Sequence, residues 1–209
     1  MRIRHRGFEP IVNSSAFIAP TATVVGNVRI GPRTRVMYGA VIDAEGSRVE
    51  IADCAIVCEN AVLRATAAGE VDHPVVIGDH AFVGPHSTLL GCVVERCCYV
   101  ATGVTVLQGA VLHAGASIAV GALVHGGTVI PEGFFVPPNA IAIGDPVQLF
   151  SPDQHDELAR AIRDVGFARR AFGVDAEWED RLNRYFKAAE VRSLEFAAHD
   201  GDTLLDDVI

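Results

Sequence analysis

Aliphatic residues recur at every sixth position through most of the chain, and this period constrains the fold more than any other feature of the sequence. Val12, Ile18, Val24, Ile30, Val36 and Ile42 make a first run, Ile51, Val57 and Leu63 a second, and Ile77, Val83 and Leu89 a third. After a slip of one residue the period continues through Val94, Val100, Val106, Leu112, Ile118, Val124, Ile130 and Val136. Four residues beyond each aliphatic stands a small or modest side chain, as at Ala16, Ala22, Thr34, Ala40, Ala55, Ala61, Ser87, Ala110 and Thr128. An amphipathic helix repeats at 3.6 and a strand at 2, so a strict six fits neither. Three short strands per turn do fit: each hexad supplies one strand and one corner, and three hexads make a coil of about 18 residues. Glycines such as Gly31, Gly84, Gly103 and Gly121 fall near the corners, where tight turns favour them. The period therefore predicts a left-handed parallel β-helix of about six to seven coils.

Breaks in the period predict what leaves the solenoid. Extra residues lie between Ile42 and Ile51, and a longer excess between Leu63 and Ile77 makes 67–74 an exposed loop. The pattern ends after Gly144-Asp145-Pro146. A helix is expected from near Asp153, with Leu158, Ile162, Val165 and Ala168 on one face, and a second from Glu177 to about Glu195. The acidic stretch after Ala198 reads as a loose end. The expected organisation is a β-helix domain over 1–150 followed by a helical segment and tail over 151–209.

The formal charge of −9 argues against sequence-independent nucleic-acid binding, which needs basic patches. No apolar run approaches the roughly 20 residues of a membrane helix, and none follows the basic N-terminus as in a signal peptide. A cytoplasmic protein without nucleic-acid or membrane partners is expected. Five cysteines without paired spacing read as small packing residues.

With the hexads aligned, Pro74-Val75-Val76-Ile77-Gly78-Asp79, Val83-Gly84, Leu89-Leu90-Gly91-Cys92 and the closing Ala142-Ile143-Gly144-Asp145-Pro146 resemble the gamma-class carbonic anhydrases. The resemblance runs from about Ile11 to Pro146. It implies a homotrimer with a cleft between protomers, in which the family holds zinc with three histidines from two chains. Carried over one at a time, the ligand positions fall on Arg64, Pro85 and Leu90, none of which offers zinc a lone pair. Where the family has Arg-Gly-Asp this chain has Asp43-Ala44-Glu45, and where it has Gln-Asp this chain has Cys58-Glu59.

The resemblance thus implies a cleft made of Arg64, His86, Asp43, Glu45, Cys58, Pro85, Leu90 and His73, without a metal. Arg64, paired with Glu59, Asp43 or Glu45, is read as an interface cation or as the bidentate anchor of a small anionic ligand, with His86 beside it. Arg64, His86 and Glu59 are the candidates for any chemistry. The expected function is a binding or assembly protein without carbon dioxide hydration, partnered by itself and by a small anion or another protein. Two enzymatic alternatives are a lyase or hydrolase with zinc in a site rebuilt around His86, and an acyl-coenzyme A transferase with His86, His73 or His113 as base. The lack of basic residues in 144–151 weighs against the latter. His113 and His125 are expected on different faces as surface or interface residues, and His80, His155 and His199 have no sequence context that marks them.

Overall fold

The computed structural model describes residues 1–67, 72–175 and 177–205. Its body is a parallel β-solenoid of three sheets. The first sheet stacks eight parallel strands, from Arg2–Arg4 through Val41–Asp43, Val62–Arg64 and Thr88–Leu90 to Ile141–Ile143. The second has seven, from Ile11–Val12 to Val129–Ile130, and the third seven, from Phe17–Ile18 to Phe135–Val136. The solenoid therefore reaches the upper end of the coil number read from the repeat, with one further strand on the first sheet.

The two side chains of each hexad that point inward explain the stacking. Ile42, Leu63 and Leu89 are register neighbours on successive strands and are all fully buried. Layers of this kind continue through Val106 and Val124. Where the small inward residue is a hydroxyl, it bonds a carbonyl of the next coil: Thr34 Oγ1 donates to Ala52 O at 2.7 Å and Ser87 Oγ to Ala101 O at 2.8 Å. Buried hydroxyls are tolerated because they are paired. All five cysteines are free, and full burial pushes the Cys92 thiol up to about 12, so it packs rather than reacts.

Coil spacing also fixes glycine at Gly84. A Cβ there would lie 2.7 Å from the carbonyl carbon of Ala101, which is backbone and cannot swing away.

Both ends of the first sheet are covered. Gln148–Phe150 folds back antiparallel on Ile141–Ile143, and Thr203–Leu205 pairs antiparallel with Arg2–Arg4, so neither terminal parallel strand of this sheet is left as its edge. Between these caps run α1 (His155–Val165), α2 (Phe167–Phe172), α3 (Arg181–Phe196) and a short 3-10 turn, Ala197–Gly201. The helix expected from Asp153 stops at Gly166, whose φ of 62° caps α1, so Ala168 belongs to α2 instead. The second expected helix begins at Arg181, capped by Asp180, whose side chain accepts from Asn183 N at 3.1 Å.

The acidic tail is a correction to the sequence reading. Asp202 bonds two histidines and Thr203–Leu205 is a strand, so the segment is tied down, because the first sheet offered it an unpaired edge. Asp206 and Asp207, and 68–71 of the expected loop, lie outside the described residues. The turns at 5–10 and 44–48, and the described residues 65–67 and 72–74, lie at the edge between the first and second sheets. Among the described residues no helix is long and apolar enough to cross a membrane.

Candidate functional site

Asp43, Arg64 and Leu90 are Cα partners on three adjacent strands of the first sheet. Arg64 donates from Nε and Nη2 to Asp43 Oδ2 at 3.0 and 2.7 Å. The Asp43 side chain is 4% exposed and that of Arg64 33%, so the carboxylate is buried beneath a guanidinium that still reaches solvent. The Arg64 guanidinium also lies 4.9 Å from the centre of the Phe196 ring at the end of α3. Asp43 Oδ1 accepts from Glu45 N at 2.9 Å and thereby sets the turn that carries Glu45 inward.

Glu45 begins a second, contiguous constellation. Its residue is 2% exposed, and neither carboxylate oxygen has a hydrogen-bond partner. Burial, reinforced by the nearby Asp43 charge, raises its carboxyl above the ordinary range, and His199 and Arg64 act against that shift. His199 Nε2 stands 3.3 Å from Glu45 Oε2. The imidazole of His199 is stacked on that of His5 with centroids 4.3 Å apart, and Asp202 receives both rings: His5 Nδ1 at 2.6 Å and His199 Nδ1 at 2.9 Å. Burial opposes charge on His199, but the bond to Asp202 and the fields of Glu45 and Asp43 outweigh it and hold its pKa above the usual histidine value.

The other sequence candidates lie elsewhere. Cys58, Glu59, Pro85 and His86 occupy the corner between the third and first sheets, where His86 N donates to Glu59 O at 3.0 Å. His86 is exposed with φ 57°, and among the described residues no hydrogen bond or ion pair joins it or Glu59 to Arg64. Burial raises the Cys58 thiol. His73 sits at the opposite edge of the sheet, its Nε2 3.1 Å from Arg170 O.

Of the candidate set, the structure joins Asp43, Glu45, Arg64 and Leu90 and separates Cys58, Glu59, Pro85 and His86 from His73. His125, expected at the surface, is 5% exposed and edge-on to Phe167, because α2 covers it. His5, His199 and Asp202 were missed by sequence reasoning: they stand outside the hexads, and no spacing relates positions 197 residues apart.

Among proteins of known description, gamma carbonic anhydrase 1 of Arabidopsis thaliana mitochondria is 36% identical over 106 residues, 49% of this chain and 38% of that protein. The chain aligns with only about two fifths of the length of the plant relatives. A carbonic anhydrase of Geobacillus kaustophilus is 31% identical over 180 residues, 86% of this chain and 91% of the relative. No family model matches. Among solved structures, a hexapeptide transferase family protein from Anaplasma phagocytophilum superposes with a TM-score of 0.53 at 22% identity, covering 90% of this chain and 94% of that one. At that identity the likeness is one of fold. The hexad solenoid, the similarity to the Geobacillus protein along 91% of its length and the shorter match to the plant gamma-class proteins together establish that the chain belongs to the gamma carbonic anhydrase family.

Proposed function

We propose that the protein is a homotrimer in which an arginine–carboxylate pair has taken the place of the family's zinc, and that it binds or assembles rather than hydrates carbon dioxide. The observation that carries this reading is Arg64, at the first ligand position of the family, bonded twice to the buried Asp43. The guanidinium stays protonated and offers no lone pair, Pro85 has no donor atom, and Leu90 is apolar, so this set does not fit zinc. The residues present favour a different task. Arg64 keeps further donors besides those on Asp43 and is partly exposed, which suits a small carboxylate, a bicarbonate-like anion or an acidic side chain of a partner protein.

The trimer reading is supported by the outer face of the third sheet. The outward column of that sheet runs Phe17, Arg35, Ile56, Phe82, Tyr99, Ser117 and Phe135 beside the corner that carries Pro85 and His86, with Phe17, Tyr99 and Phe135 exposed and Phe82 stacked on Tyr99 at 5.3 Å. Exposed aromatics concentrated on one face suit an interface. The transferase alternative draws on fold likeness alone.

The test is carbon dioxide hydration by the tag-free protein supplied with zinc and with cobalt, alongside sedimentation. A trimer without hydration is expected. Hydration by the wild-type chain would overturn the reading, as would a monomer at micromolar concentration. A triple variant with Arg64→His, Pro85→His and Leu90→His should gain a metal at the inter-subunit position that the wild type does not hold there.

A further inference from the structure

We infer that His5, Glu45 and His199 form a binding site for a divalent transition metal of the zinc class, separate from the family's inter-subunit position and built where the C-terminal segment closes on the first coil. One ligand atom from each of the three residues lies within 4.8 Å of the others. His199 Nε2 and Glu45 Oε2 are 3.3 Å apart, which is about the separation of two donors on one tetrahedral zinc with bonds near 2.1 Å.

Three observations distinguish this cluster from an ordinary buried ion pair. Oε1 of the buried Glu45 carboxylate has no hydrogen-bond partner, and Oε2 meets His199 Nε2 at 3.3 Å without hydrogen-bond geometry, although such groups are almost always paired. Asp202 takes Nδ1 of both imidazoles, which fixes the tautomers and leaves Nε2 of each ring as the donor to a metal; a carboxylate behind a ligand histidine is the usual support of such sites. The cluster is also rich in carboxylates: Asp43, Glu45, Glu195 and Asp202 gather here with the guanidiniums of Arg6, Arg64 and Arg192, so a metal would take over the balancing charge that a protonated His199 otherwise supplies. Arg6 Nε now donates to His5 Nε2 at 3.2 Å, and this long bond is the one the metal displaces. Two imidazoles and one carboxylate suit zinc or cobalt and leave a fourth position to water.

The test uses the full-length tag-free protein, stripped with chelator and titrated with cobalt(II), with zinc as competitor. The expected result is the visible absorption of four-coordinate cobalt, saturating at about one ion per chain and displaced by zinc. His199→Ala and Glu45→Gln should each weaken binding by more than about 100-fold, and Asp202→Asn by about 10- to 100-fold. His86→Ala and His73→Ala should leave it unchanged.

Because the alanine variant removes a packed ring, His199→Cys is the decisive partner: a retained donor should preserve cobalt binding and add a thiolate-to-cobalt band in the near ultraviolet. Absence of saturable cobalt binding would overturn the inference, as would binding indifferent to His199→Ala and Glu45→Gln, or binding lost with His86→Ala. The proposal does not depend on the function of the Arg64 cleft. Failure here leaves the non-hydratase reading in place, and hydration by the wild type would end that reading without touching this site.

Discussion

Arg64 and Asp43 show how one side chain sets the environment of its register neighbour. An arginine on a parallel strand places a fixed cation beside the residue one coil below, and the aspartate there is buried beneath it. Arg64→Ala should cost about 1–3 kcal/mol in denaturant unfolding, the range for a lost charged hydrogen bond, since Asp43 would be left without its cation. Combining Arg64→Ala with Asp43→Asn should cost less than the two alone; additive losses would mean that the pair is not coupled. Backbone demands are as specific. Gly84→Ala drives a Cβ into the Ala101 backbone and should lose about 1–3 kcal/mol. Cys97, exposed with φ 58°, points the other way: Cys97→Gly should gain up to about 1 kcal/mol by relieving left-handed strain, and a loss would refute that account.

Among the elements, α2 and the terminal strand carry the clearest consequences. His73 and His125 both meet α2, and burial, with Arg170 nearby, holds each imidazole below the ordinary histidine value. The unfolded chain therefore takes up these protons first. Stability is complete above the ordinary histidine range and falls as pH drops through it toward the depressed folded values. Hydrogen exchange should show α2 opening more readily at about pH 5.5 than at pH 7.5, with His125→Asn reducing the difference. Equal protection at both pH values would remove the histidines from the account. Deleting 203–209 removes the antiparallel partner of Arg2–Arg4, so amides of that first strand should exchange faster while those of the central coils stay protected.

At the scale of the molecule, the solenoid provides rigidity by repetition and the C-terminal segment joins its two ends. It leaves the last coil at Gln148–Phe150 and returns to the first at Thr203–Leu205, so coils that share no direct contact are held by one strap. Loss of a neighbour in a repeat array is felt mainly by adjacent repeats, so a strap of this kind couples ends that stacking alone would leave independent. If the outward column of the third sheet is the trimer face, Tyr99→Glu should shift sedimentation toward monomer without unfolding the coils, since the exposed ring supports no core layer. An unchanged trimer would move the interface to another face.

The amino-acid order by itself determined the solenoid, because the hexad period is a local code: every sixth aliphatic faces inward whatever the rest of the chain does. It also brought Asp43 beside Arg64, since parallel stacking makes residues about one coil apart into neighbours. For His86 the hexad gives only its place in the corner after Val83, and the structure adds that the corner is left-handed at φ 57° and leaves the residue exposed. The helices were visible as apolar faces, whereas their limits were decided by Gly166 and Asp180 acting as caps. His5, His199 and Asp202 had no legible signal. Nothing periodic links the two chain ends, and the segment read as a loose acidic tail is ordered because the exposed edge of Arg2–Arg4 accepts a strand and His5 accepts a carboxylate. A repeat specifies what stacks on what, and only tertiary structure decides what closes it.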